Sequence, residues 1–407
     1  MDKIVIKNLY KIFGDNPNKA IRLLKEGYTK TDILEKTGMN VGVNNAEFTI
    51  KQGEIFVIMG LSGSGKSTMV RMINRLIEPS GGQVIVDGKD VTAMGRDELV
   101  RFRLNNMSMV FQSFALMPHL TVLENASFGL ELAKVERTQR RARAMEALIQ
   151  VGLGGWEDQY PEQLSGGMQQ RVGLARGLAV DPDIMLMDEA FSALDPLIRT
   201  EMQDELLKLQ DNSQRTIVFI SHDLDEALRI GDRIAIMEGG RVVQVGTPEE
   251  ILQNPADDYV RAFFRGVDPT NVISAGDIVK DSQVTVIKTK LGGIRGTHEL
   301  LSSQDRTYAY VLDSHRRYLG VVSVESLQEA IDKNIKGEPI DTCFLSDAQK
   351  VNEDDCMQDI LPEVASRPWP IPVVDDNNVY KGVVSKNRFL RTLHKTDQEQ
   401  PENRISE

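Results

Sequence analysis

Apolar residues in this chain gather into runs of strand length: Glu54–Met59, Ile184–Met187 and Thr216–Ile220. A stretch with helical spacing of apolar positions follows each of them. Buried strands alternating with helices predict a largely parallel α/β core with helices on its faces. Ile4–Ile6 and Ala46–Ile50 read as short edge strands of an opening β-layer. Between them Asn18–Thr37 reads as a helical insert, with Leu23, Leu24, Ile33 and Leu34 set among charged residues. Ser67–Leu76 and Arg137–Val151 are predicted helices. The arginines of the second (137, 140, 141 and 143) suit a solvated face better than a nucleic-acid surface.

The pattern changes near Gly266–Ser274. Beyond it Tyr308–Asp313, Tyr318–Ser323 and a helix to Ile331 match Ile371–Asp375, Tyr380–Ser385 and a helix to Leu393. The offset is 62 residues (Tyr318 to Tyr380), too long for a solenoid and suited to two small β-α-β-β-α modules. The expected organisation is a first domain over 1–268, with a helical subdomain over roughly 100–175, then modules over 269–336 and 337–395. The acidic tail, 396–407, is expected to be disordered.

Composition narrows the function. A formal net charge of −12 over 407 residues argues against nucleic acid as the main partner, because a phosphate backbone wants a basic footprint. Cys343 and Cys356, the two cysteines, have no metal-ligand spacing and fit a reducing compartment. No run approaches the roughly 18–20 apolar residues of a membrane span, and Met1-Asp2-Lys3 does not open a signal peptide. The expectation is a chain cytosolic by itself, reaching the cytoplasmic face of the membrane through a partner.

The chemistry lies at strand ends. Gly60-Leu61-Ser62-Gly63-Ser64-Gly65-Lys66-Ser67-Thr68 is a phosphate-binding loop between a strand and a helix. Its glycines let successive N–H groups turn toward the β- and γ-phosphates of ATP. Lys66 adds charge, Ser67 offers a hydroxyl to Mg²⁺, and the helix presents its positive end. The strand Ile184–Met187 runs into Asp188, suited to Mg²⁺, and Glu189, placed to polarise the attacking water. Gln112 closes another apolar stretch, where its amide can touch Mg²⁺ or that water. His222 follows the next strand and can donate to the γ-phosphate. Leu164-Ser165-Gly166-Gly167-Met168-Gln169-Gln170-Arg171 opens a helix whose free N–H groups form a second anion site. The chain already has one cradle, so Ser165 and Gly167 are read as binding the γ-phosphate held by a second copy. Ser192-Ala193-Leu194-Asp195 would then communicate across that seam.

This order of motifs resembles the ATP-binding cassette family over about Ile4–Asp268. The resemblance implies a head-to-tail cassette dimer that encloses two ATP–Mg²⁺ and opens after hydrolysis. It adds Gly60, Ser62, Ser64, Thr68, Gly166, Gln169 and Asp195 to the nucleotide contacts. It also places Phe13 against adenine, with Tyr10 as the alternative. The segments Gly27–Gly38, Phe111–His119 and Asp188–Arg199 look like glycine betaine/proline importers of the OpuA/ProV type. In these the segment around Phe114–Leu123 would meet a coupling helix of the transmembrane permease, which works with a solute-binding domain or protein. The C-terminal repeat resembles a tandem pair of CBS modules. Ser326 and Arg388 stand where such modules often place a ribose-binding aspartate, which leaves cyclic di-AMP as a candidate ligand. Two regulatory expectations follow: nucleotide binding there, and attraction of an anionic lipid surface by Lys288, Lys290, Arg295, Arg316, Arg317, Lys381, Lys386 and Arg388. The alternatives are an importer ATPase for another solute, a non-transport cassette ATPase and a nucleotide sensor. The span from Lys66 to Glu162, without heptads, argues against the repair-type ATPase, and one cassette per chain argues against the translation type. Intact Lys66, Asp188, Glu189 and His222 argue against the sensor.

Overall fold

A computed structural model describes the chain except residues 113–114, 193, 265–267, 269, 271, 281–282, 289–292, 334–338, 347 and 399–407, and the side chains of 211–213 and 393–398. It divides into two compact units, Met1–Phe264 and Arg265–Glu407.

The first unit opens with β1 (Asp2–Phe13), passes through α1 (Pro17–Lys25) and α2 (Lys30–Thr37), and returns antiparallel as β2 (Asn40–Lys51). β3 (Ile55–Met59), α3 (Lys66–Ile73), β4 (Gly81–Val86) and β5 (Lys89–Asp90) follow. Next come α4 (Arg96–Asn106), β6 (Met107–Val110), α5 (Val122–Leu132), α6 (Arg137–Gln150) and α7 (Gly166–Ala179). β7 (Ile184–Asp188), α8 (Pro196–Ser213), β8 (Thr216–Ser221), α9 (Leu224–Ile230), β9 (Arg233–Glu238) and β10 (Arg241–Gly246) lead to α10 (Pro248–Gln253) and α11 (Asp258–Phe263).

Two sheets result. β2-β1-β4-β5 is antiparallel, and β10-β9-β3-β8-β7-β6 is parallel except at β10. Every residue of β3, β7 and β8 is buried, as strands covered on both faces must be. The sheets share a core in which Phe48 of β2 stacks on Phe56 of β3 with ring centroids 5.2 Å apart.

The opening strands run 12 residues each, far longer than the short edge strands expected. Register shifts, with Asn8 and Asn45 at positive φ, interrupt the alternation that would have revealed their length. The insert is two helices rather than one. Gly27 at φ 95° breaks it, and Thr29 restarts it by a capping box with Asp32.

In the second unit α12 (Ala275–Ile278) precedes β11 (Val284–Ile287), α13 (Ile294–Ser303), β12 (Tyr308–Leu312), β13 (Tyr318–Ser323) and α14 (Val324–Asp332). β14 (Val351–Asn352), α15 (Met357–Ser366), β15 (Ile371–Val374), β16 (Tyr380–Val384) and α16 (Lys386–Gln398) repeat the plan. Both sheets pair first parallel, then antiparallel. The sequence repeat reappears as reciprocal bonding: the Tyr318 amide donates to the Asn378 carbonyl at 3.0 Å, and the Tyr380 amide to the Arg316 carbonyl at 3.0 Å.

Phe56→Ala removes a fully buried ring from the shared core. It is expected to lower the exchange stability of the β3 and β8 amides by about 3–5 kcal/mol, read by native-state hydrogen exchange.

Candidate functional site

The carboxyl edge of the parallel sheet gathers the predicted residues. β3 delivers Gly60–Gly65, β7 ends on Asp188 with Glu189 next, and β8 delivers His222. The P-loop is held by backbone: the Ser64 amide donates to the Leu61 carbonyl at 3.1 Å, and the Gly240 amide to the Ser64 carbonyl at 2.9 Å. Gly65 stands at the head of α3 with no side-chain cap, so the N–H groups of the first turn keep their donors for an anion. Ser64 Oγ is buried with no hydrogen-bond partner among the described residues.

Lys66 is buried, and its ammonium donates to the Gly60 carbonyl at 2.8 Å and the Leu61 carbonyl at 3.3 Å. Burial pulls its pKa down, while the charges of Glu189 and Asp188 oppose that shift. A desolvated ammonium bonded to carbonyls and in no ion pair among the described residues suits a polyphosphate. Gln112 and Glu189 come together, with Gln112 Nε2 donating to Glu189 Oε2 at 3.0 Å. Glu189 has φ 50°, a region that costs a side-chain-bearing residue of order 1–3 kcal/mol. The Ser192 hydroxyl, donating to the Glu189 carbonyl at 2.9 Å, fixes that turn.

Asp188 is almost fully buried, and Oδ2 accepts from Arg71 Nη2 at 2.9 Å and Nε at 3.1 Å. Sequence reasoning passed over Arg71. The signal was there: it follows Ser67 by four positions and so shares Ser67's face of α3. Among the described residues no three His, Cys, Asp or Glu side chains could cage a metal. The set Ser67, Gln112 and Asp188 fits Mg²⁺, which keeps waters and takes much of its shell from phosphates.

His222 is exposed. Its neighbour Asp223 pairs with Arg199 at 3.2 Å, and Arg199 also donates to the Leu194 carbonyl at 3.2 Å. One arginine therefore joins the turn after β8 to the Ser192–Asp195 loop. Asp195 caps α8 by accepting from the Ile198 amide at 3.1 Å. Phe13 is 43% exposed at the end of β1, and its ring and Thr68 both border Gly42. Tyr10, the alternative, is buried and lines a different cleft.

Ser165, Gly166, Gly167 and Gln169 shape the start of α7. Ser165 accepts from the Met168 amide at 3.3 Å, and Gln169 Nε2 donates to the Pro161 and Leu164 carbonyls at 3.0 and 3.2 Å. No hydrogen bond or ion pair among the described residues links this turn to the P-loop. Arg176 of α7 donates to the Ala115 carbonyl at 2.6 Å, and buried Asn125 holds the carbonyls of Met117, Leu120 and Thr121. Both escaped sequence reasoning, since neither belongs to a local pattern. Phe114 and Ala193 lie outside the described residues.

In the second unit Ser326 closes a capping box with Ser323, and Arg388 Nε donates to the Ile278 carbonyl at 2.5 Å. Of the expected basic patch, Lys381 pairs with Glu353 and Asp375 at 3.4 Å each, Lys288 pairs with Asp341, and Lys290 lies outside the described residues. No helix among the described residues is long and apolar enough to cross a membrane.

Residues 43–192 match the family described as ABC transporter. The chain is similar to the glycine betaine/proline betaine transport system ATP-binding protein ProV of Salmonella typhimurium, 55% identical over 96% of this chain and 97% of that protein. It is also similar to the glycine betaine transport ATP-binding protein OpuAA of Bacillus subtilis, 49% identical over 96% of this chain and 92% of that protein. Among solved structures, the dimeric post-hydrolysis state of the ATP-binding cassette MJ0796 bound to ADP and Pi has a TM-score of 0.52. It is 33% identical and covers 60% of this chain and 98% of its own. With the P-loop, the paired Gln112 and Glu189 and the capped α7 in one unit, the chain belongs to the ABC transporter family, among its ATP-binding subunits.

Proposed function

We propose that the chain is the ATP-hydrolysing subunit of an importer for glycine betaine/proline-type compatible solutes. It would work as a peripheral subunit on the cytoplasmic face of the membrane. The observation that carries the ATPase reading is the buried Lys66 beside Asp188 and the Gln112–Glu189 pair at one sheet edge. The solute class rests on the two transport relatives.

In this reading Gly60–Thr68 cradle the triphosphate, with Lys66 against the β- and γ-phosphates and Phe13 on adenine. Ser67, Asp188 and Gln112 hold Mg²⁺, which when bound neutralises charge on the transferring phosphoryl group. Glu189 accepts a hydrogen bond from the attacking water and orients it. Gln112, already bonded to Glu189, senses whether that water is in place. His222 donates to the γ-phosphate. Ser165, Gly166, Gly167, Gln169 and Asp195 complete the same site from a second copy in a head-to-tail homodimer. The segment 115–123, held by Asn125 and Arg176, faces the permease, which acts with its solute-binding domain or protein. Arg176 ties that segment to the helix that begins at Ser165, giving a mechanical route between permease contact and dimer closure.

The second unit is proposed as a CBS pair that regulates the cassettes through cyclic di-AMP or ionic strength. Arg388 would have to exchange its bond to the Ile278 carbonyl for a ligand phosphate. Anionic lipid would meet only the charge that Lys381 and Lys288 do not already spend on carboxylates.

Co-purification with the permease, followed by ATP-driven uptake of radiolabelled glycine betaine into vesicles, tests the function. Loss of uptake with ATPase intact would reassign the solute. Glu189→Gln is expected to keep ATP binding and lower turnover by about 10²–10⁴-fold in a phosphate-release assay. A dimer mixing Lys66→Ala with Ser165→Ala copies has one intact site, so its ATPase should exceed that of either parent; Ser165→Ala forfeits a cap worth about 1 kcal/mol, so folding is checked by circular dichroism. Arg71→Met leaves the buried Asp188 carboxylate without its partner and should destabilise the first unit by about 1–3 kcal/mol in denaturant titration.

A further inference from the structure

Outside the nucleotide site the helical insert borders a cleft of about 750 Å³, within the range of small-molecule pockets. Its walls are the α1–α2 turn and the turn from β9 to β10, and no residue of Gly60–Thr68 lines it. Lys25, Lys30 and Arg241 face it, and Glu238 is the carboxylate in its lining. None of the three cations forms an ion pair among the described residues, whereas Arg71, Arg75, Arg171, Arg199 and Arg233 of the same unit all do. Unspent cations converging on a concave surface are an anion-binding arrangement.

Two further observations point the same way. α2, eight residues long, begins in the cleft wall at Lys30, so its positive end adds to the cations there. Asp32 answers part of that charge by bonding back to the Thr29 amide and hydroxyl at 2.8 and 2.7 Å. Tyr10 lines the cleft while only 7% exposed, and its phenol has no hydrogen-bond partner among the described residues. That phenol opens on the cleft, where it can donate to a ligand oxygen. Burial raises its pKa, so it stays a donor at neutral pH. Tyr28, whose ring packs under Lys36, also lines the cleft.

We propose that this cleft binds a phosphate-bearing small molecule of about nucleotide size, gripped by Lys25, Lys30 and Arg241 with Tyr10 as a neutral donor. The occupant would bear on the P-loop. Gly239 and Arg241 line the cleft, and Gly240 between them donates to the Ser64 carbonyl at 2.9 Å while accepting from the Asn44 amide at 2.8 Å. Occupancy would thereby tighten or loosen the turn that supports the triphosphate cradle. That last consequence rests on the ATPase reading; the binding itself does not.

Hydrogen exchange on the full chain, with pyrophosphate as probe, tests it. Residues 24–31 and 238–241 should gain protection in the wild type and equally in Lys66→Ala, where the P-loop has lost its cation. Lys30→Glu/Arg241→Glu should weaken that protection at least tenfold, with exchange elsewhere unchanged. Tyr10→Phe, which keeps volume and burial, should weaken it about fivefold or more. Protection confined to Gly60–Thr68, or undiminished in the double variant, would overturn the site. Protection by phosphatidylglycerol vesicles but not by pyrophosphate would assign the charge to a lipid surface and overturn the small-molecule proposal. Because no arm reads ATP turnover, a failed ATPase would leave this result standing, and the reverse.

Discussion

The P-loop is wedged between two strand systems at distances that only bare backbone tolerates. A Cβ on Gly60, at φ 150°, would meet the Met237 carbonyl oxygen at 2.2 Å; one on Gly65, at φ 104°, would meet the Gly42 carbonyl oxygen at 2.3 Å. Met237 lies in β9 of the parallel sheet and Gly42 in β2 of the antiparallel layer. The loop therefore fixes the gap between the sheets at the point where phosphates would lie. Its own conformation is set by both sheets, so its N–H groups stay aimed without a ligand to hold them. Preorganisation of this kind lets electrostatic stabilisation act with little rearrangement.

Around that fixed point, long charged side chains do the joining. Arg71 reaches from α3 to Asp188, Arg199 from α8 to the turns at Leu194 and Asp223, and Arg176 from α7 to Ala115. Arg199 and Arg176 each tie a helix to a loop, whereas Arg71 ties α3 to the last residue of β7. Loops held by one or two hydrogen bonds can shift with little loss of packing, while the strands beneath them cannot. The site thus combines a P-loop fixed between two sheets with turns held by single side-chain bonds. A hydrolysis cycle coupled to opening and closing requires that division.

What the sequence disclosed and what it withheld follow one distinction. Strands β3, β7 and β8 were legible because they are covered on both faces and read as unbroken apolar runs. The residues at their ends were legible because motif order fixes which loop each occupies. β1 and β2 were foreshortened because bulges at Asn8 and Asn45 scramble the alternation. The insert read as one helix because its apolar spacing carries across Gly27, although Thr29-x-x-Asp32 marked a restart. Pairings between distant residues had no local trace: Arg71 and Asp188 stand 117 positions apart, Arg176 and Ala115 stand 61. In the second unit the sequence displayed the basic residues but not the ion pairs that Lys381 makes with Glu353 and Asp375 and Lys288 with Asp341.

The second unit shows why a weak repeat can still dictate a structure. Each repeat contributes one three-stranded sheet. Tyr310, Tyr318 and Tyr380 bury almost completely, and they do so in one cluster drawn from both repeats. Tyr310 and Tyr380 stack with centroids 5.7 Å apart, and the Tyr310 hydroxyl donates to the Pro370 carbonyl at 2.6 Å in the opposite repeat. Asp313 and Asp375, at equivalent positions, each accept two backbone amides and shape the two turns alike. Those turns then exchange the reciprocal bonds at Tyr318 and Tyr380. Shared tyrosines and paired backbone thus join the two repeats. A ligand or ion that acts on this unit acts on the pair.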